Sequence, residues 1–157
     1  MNQELNKEAK LSPHFSLGEL TKSKNHPEIY NILSHVHIEN LKRVCGWLEV
    51  LRSEWNRLYG EGDPIIITSG YRSKELNRAV GGAATSNHLT GCAVDIRVAG
   101  KEQLARYAVI LLDYADHTNQ DFDEILMERG DKGVIWLHFA VRPPSEWNRR
   151  KFNILRG

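Results

Sequence analysis

Apolar positions recur at helical spacing from about Ile38 to Tyr59, at Leu41, Val44, Cys45, Leu48, Leu51, Trp55 and Leu58. One long amphipathic helix with a core-facing stripe is the reading. Gly60, Gly62, Asp63 and Pro64 end it, and Ile65-Ile66-Ile67-Thr68 follows as a short strand, since β-branched residues favour sheets. Ser69 to Ser73 is a turn, with Ser73 placed to cap a short helix through Ala79. Gly81-Gly82 and the small residues up to Ser86 read as a loop.

From Cys92 to Val98 the pattern changes to strict alternation. Cys92, Val94, Ile96 and Val98 share one face, and Ala93, Asp95 and Arg97 the other. Lys101 to about His117 is helical, burying Leu104, Tyr107, Ala108, Leu111 and Leu112. Phe122–Glu128 and Val134–Val141 are strands joined by Arg129-Gly130-Asp131-Lys132-Gly133, a hairpin connection. Near the N-terminus, Ser16-Leu17-Gly18-Glu19 has the form of a capping box and predicts a short helix. After Val141 the chain, with Pro143-Pro144, reads as a surface segment ending in a short helix. The expected architecture is α+β, with N-terminal helices packed on a small, mainly antiparallel sheet. A single domain over 1–157 is expected, its core spanning about 14–141 and a tail 142–157.

Composition narrows the function classes. The 157 residues are 41% hydrophobic and 26% charged, ordinary for a globular chain. A formal net charge of +1 and the absence of basic blocks give no reason to expect a nucleic acid partner. The first residues lack the apolar stretch of a signal peptide, and no run suits a membrane span. Synthesis in the cytoplasm, without membrane insertion and as a monomer, is the expectation. A wall-directed substrate would then be reached through another factor. Cys45 and Cys92 sit among apolar neighbours and read as buried thiols, though sequence alone leaves a disulfide open.

Two segments carry candidate chemistry: Ser86-Asn87-His88-Leu89-Thr90-Gly91-Cys92-Ala93-Val94-Asp95, and Trp136-Leu137-His138-Phe139. Histidine and aspartate suit zinc, and a catalytic zinc takes three protein ligands and keeps one position open. His88 precedes a strand, Asp95 lies on its polar face, and His138 projects opposite Leu137 and Phe139. All three could therefore converge on one open sheet face. The same residues also fit a capped loop, an Asp95 salt bridge to Arg97 or Arg72, and a core histidine. Gly91 allows a sharp turn between His88 and the strand. His14, His26, His35, His37 and His117 match no ligand pattern.

The pattern Ser-Xaa-His-Xaa-Xaa-Gly-Xaa-Ala-Xaa-Asp, from Ser86 to Asp95, resembles the signature of the zinc D-Ala-D-Ala carboxypeptidase family. Vancomycin-resistance D-Ala-D-Ala dipeptidases, phage L-alanyl-D-glutamate endolysins and the hedgehog signalling domain share that signature. His14 to Leu20, Ser69 to Ser73, Gly81 to Ala83, Phe122 to Glu128 and Trp136 to Phe139 resemble the phage and bacterial carboxypeptidase branch. The resemblance implies zinc held by His88, Asp95 and His138, and a peptidoglycan stem peptide as substrate. It implies that Arg72 polarises the scissile carbonyl or holds a substrate carboxylate, roles that suit a permanently charged planar fork.

The chain departs from the family where a proton carrier is expected. Three residues before the last histidine, where many members have Glu, stands Ile135; two before it, where others have His, stands Trp136. By resemblance to the hedgehog domain, Glu128 at the end of the preceding strand takes the role. Ser86, Tyr71 and Trp136 are the candidate substrate-lining residues. D-Ala-D-Ala carboxypeptidase is the implied activity. A stem-peptide endopeptidase and a non-catalytic zinc-bearing module binding peptidoglycan or protein are the alternatives.

Overall fold

In a computed structural model the described residues are 6–22, 26 and 33–156. The long helix, α1, spans His35–Tyr59. Ser34 caps it, accepting from the His37 N–H, while the His37 ring accepts from the Ser34 N–H at 3.1 Å. Its stripe of Leu41, Val44, Cys45, Leu48 and Leu51 is fully buried. At about 1.5–3 kcal/mol per large apolar side chain, that face alone fixes how the helix lies.

The sheet has five strands in the order β3-β4-β6-β5-β7: Ile67–Ser69, Ala93–Arg97, Ile135–Ala140, Glu124–Arg129 and Lys151–Arg156. All neighbours are antiparallel except β5 and β7. Its two faces differ because alternation sorts them. Val94, Ile96, Leu137, Phe139, Ile125 and Met127 turn inward onto α1 and onto α3, Lys101–Thr118. Trp47 of α1 meets Phe139 of β6 at 5.3 Å and Tyr114 of α3 edge-on at 4.8 Å, joining the layers. The other face carries Asp95, His138, Glu124 and Glu128. The short helix α2, Lys74–Ala79, is capped by Ser73 as expected.

The fold class is α+β as read from the sequence, and two local expectations are overturned. Ser16 and Glu19 do exchange capping-box hydrogen bonds, at 3.1 Å and 3.3 Å, but the chain makes only a turn there. It belongs to a small hairpin, β1 Lys10–Ser12 and β2 Phe15–Ser16, pinned to α1 where Glu49 accepts from Ser12 and from the His14 backbone. The segment after Val141 is the second correction. It does not end in a surface helix; residues 151–156 pair with β5 as the parallel edge strand β7. Phe152 and Ile154 alternate with less exposed Asn153 and Leu155, a strand period too short to stand out behind two prolines.

Candidate metal centre

Register brings the first two candidate residues together. Asp95 of β4 lies directly opposite His138 of β6, and directly opposed side chains on one face stand close enough to touch. Asp95 Oδ1 is 2.9 Å from His138 Nδ1. His88 arrives from a short 3₁₀ turn, Asn87–Thr90, whose cap Ser86 accepts from the His88 N–H at 3.1 Å. Gly91 closes that turn at φ 79°, and a Cβ there would sit 2.8 Å from the His37 carbonyl oxygen. Only glycine both adopts this conformation without penalty and lets the turn lie on α1. The His88 Nε2 thereby stands 3.4 Å from Asp95 Oδ1.

The donor set fits zinc. Bonds of about 2.0–2.2 Å in a tetrahedral arrangement separate neighbouring donors by about 3.3–3.5 Å. One donor atom from each of His88, Asp95 and His138 lies within 4.8 Å of the others. The remote ring nitrogens are already satisfied: His88 Nδ1 lies 2.7 Å from the Gly70 carbonyl, and His138 Nε2 lies 3.0 Å from Glu124 Oε1. With a metal bound, those acceptors would take the ring protons and leave the other nitrogens' lone pairs to the cluster.

Without a metal, the three side chains hold one another by charge. Burial opposes ionisation of Asp95, but the His88 and His138 rings outweigh it and hold the carboxyl below its ordinary range. Burial also opposes charging of His138, yet hydrogen bonds to Asp95 and Glu124 push it up to about 9.

Arg72 follows the turn after β3. Its Nη2 lies 3.4 Å from Asp95 Oδ2, Nε donates to Ser69 Oγ at 3.1 Å and Nη1 to Asn77 Oδ1 at 3.3 Å. Gly70 makes this turn possible: a Cβ there would fall 2.1 Å from the Leu20 carbonyl, which accepts the Tyr71 N–H. Tyr71 is buried and stacks on His37 at 4.5 Å, so its ring packs beneath the turn. Trp136, half-buried, stands between Arg97 and Glu128 in the ladder and covers Gly130. Glu128 lies on the face of β5 that also carries Glu124, half-buried, with no hydrogen bond or ion pair among the described residues. Burial, together with the nearby Asp95 and Glu124 carboxylates, pushes its carboxyl up despite the opposing pull of His138.

Sequence reasoning missed a polar layer beside the site. Asn87 Nδ2 donates to Asp123 Oδ2 and to Glu124 Oε1, both at 2.7 Å. Asp123, fully buried, is gripped by Arg149 through Nε at 3.0 Å and Nη2 at 2.8 Å, with Arg142 Nε at 3.3 Å. Alternation along β5 puts Glu124 on the same side as Glu128, and that was the available signal for its place. Cys45 and Cys92 are free and buried. Among the described residues, no helix is long and apolar enough to cross a membrane.

In a comparison with known families, the Peptidase M15 model matches residues 13–120. That span takes in Arg72, His88 and Asp95 and stops before Glu124, Glu128 and His138. No curated protein matches the chain.

Proposed function

Because the chain belongs to the Peptidase M15 family, zinc-dependent metallopeptidases acting on peptidoglycan-type peptides, we propose that it is a D-Ala-D-Ala carboxypeptidase. His88, Asp95 and His138 are the zinc ligands in this reading. The observation that carries it is the gathering, on one polar sheet face, of that donor set with a fixed cation, Arg72, and an unpaired carboxylate, Glu128. Zinc, when bound, supplies Lewis acidity for the carbonyl and a water of lowered pKa.

The chain's own groups do the rest. Arg72 is locked by Ser69, Asn77 and Asp95, so its guanidinium meets developing negative charge, or a substrate carboxylate, without reorganising. Glu128 takes a proton from the attacking water as the C–O bond forms at the scissile carbonyl. As the C–N bond breaks, the same carboxyl returns that proton to the departing amine, leaving a shortened stem and free D-Ala. Trp136 and Ser86 border this space, and Tyr71 supports it from below.

A free carboxylate near the cut bond distinguishes an exopeptidase substrate. Next to Asn77, which holds Arg72, lies a cavity of about 240 Å³ lined by Lys74, Arg78, Gly82, Ala84 and Leu89. Lys74 and Arg78 pair with no carboxylate among the described residues. Two uncommitted cations there favour a terminal carboxylate over an uninterrupted chain.

Mass spectrometry of pentapeptide muropeptides incubated with zinc-loaded protein tests the proposal. Loss of one D-Ala, abolished by Glu128→Gln, is the expected outcome. A cut inside the stem would make the chain an endopeptidase, and intact muropeptides with zinc bound would make it a binding module.

A further inference from the structure

An imidazole that binds a metal through one nitrogen carries its proton on the other, and the acceptor of that proton fixes tautomer and ring orientation. For His138 the acceptor is Glu124, with Oε1 3.0 Å from Nε2 while Nδ1 faces Asp95. Glu124 is itself held. The same Oε1 accepts from Asn87 at 2.7 Å, and Oε2 lies 3.6 Å from Arg149 Nη2. Its side chain keeps only 13% of its surface in contact with water, which favours a carboxylate fixed in one rotamer over a mobile surface one. Asn87 directly precedes His88, so one amide ties the turn carrying His88 to the strand that orients His138.

We infer that Glu124 is a positioning residue of the metal centre: it fixes the tautomer and tilt of His138, and Asn87 couples that setting to the His88 turn. The inference rests on the reading of His88, Asp95 and His138 as zinc ligands. It requires an acceptor at position 124, and not a charge as such. Glutamine keeps the carbonyl oxygen and alanine does not.

The test is the zinc dissociation constant of the full chain, measured by competition with a chromophoric chelator. Glu124→Ala is expected to weaken zinc by about 10–100-fold and Glu124→Gln by no more than about threefold. Glu124→Met, similar in length and without an acceptor, gives the same reading if the alanine variant fails to fold. Wild-type affinity in Glu124→Ala, alongside its loss in His138→Ala, would overturn the inference and leave the ligand assignment standing. Equal weakening by glutamine and alanine would overturn it too, by showing that charge is what matters. Wild-type affinity in His138→Ala would contradict the ligand assignment, and the inference with it.

Discussion

Asp123 is fully buried, yet its surroundings keep it ionised. Burial opposes the charge, but hydrogen bonds from the Arg149 side chain and backbone, then Asn87, outweigh it and lower the carboxyl from its ordinary range. Asp123→Asn keeps the shape, removes the charge and turns one acceptor oxygen into a donor facing other donors. Removing one partner of a buried pair costs about 3–5 kcal/mol, because the other charge is stranded. Here the Arg142 and Arg149 side chains retain 25% and 34% of their surface in water, so the stranded cations stay partly hydrated. The cost should sit at the lower end, about 3 kcal/mol, which lowers Tm by about 6–12 °C for a chain of this length.

Urea titrations of wild type and Asp123→Asn across a pH series measure it. The folded value lies below the unfolded one, so the stabilisation is complete above the unfolded value of about 3.9 and is lost as pH falls through the folded value. The difference between the two proteins should therefore be constant from about pH 5 to 8 and shrink in acid. A difference under about 0.5 kcal/mol at neutral pH, or one that widens in acid, would refute the reasoning.

Other substitutions probe the site's supports. Gly91→Ala must adopt φ 79° and meet the His37 carbonyl at 2.8 Å, so a loss of at least about 1–2 kcal/mol is expected in thermal melts. Gly82→Ala would place a Cβ 2.0 Å from Asn77 Oδ1 and 3.1 Å from Arg72 Nη1. Steady-state kinetics should then show kcat/KM falling by about tenfold or more, with zinc content unchanged. Glu128→Gln should lower kcat by about 10²–10⁴-fold while zinc content and Tm hold, and unchanged turnover would remove Glu128 from the chemistry. Cys45 is buried and its thiol is pushed up to about 12 by that burial, so native protein should resist alkylation there until unfolded.

Much of this molecule is legible in its periodicity. Helices α1 and α3 and strands β4, β5 and β6 each carry a full apolar stripe or alternation, and the structure forms them within a few residues of where the pattern puts them. The polar face of β4 and β6 follows from the same alternation, so Asp95 and His138 were locatable before their register was known. What escaped lacks period or depends on long-range pairing. β1 and β2 have three and two residues, too few to show alternation. The Ser16 capping box forms its hydrogen bonds, but no apolar stripe follows to extend a helix. β7 gains its pairing from β5, which no local pattern reveals. Glu124, Asn87 and Asp123 meet only because the His88 turn lands beside β5, a contact 36 or 37 residues distant in the chain.

Zinc stoichiometry by elemental analysis, on metal-replete wild type beside His88→Ala, Asp95→Asn and His138→Ala, tests the central claim most directly. The account predicts one tightly held zinc per wild-type chain and its loss in all three variants, each still folded by circular dichroism. A wild-type chain that holds no zinc, or a triple set that holds it unchanged, would contradict the metal centre and the peptidase chemistry built on it.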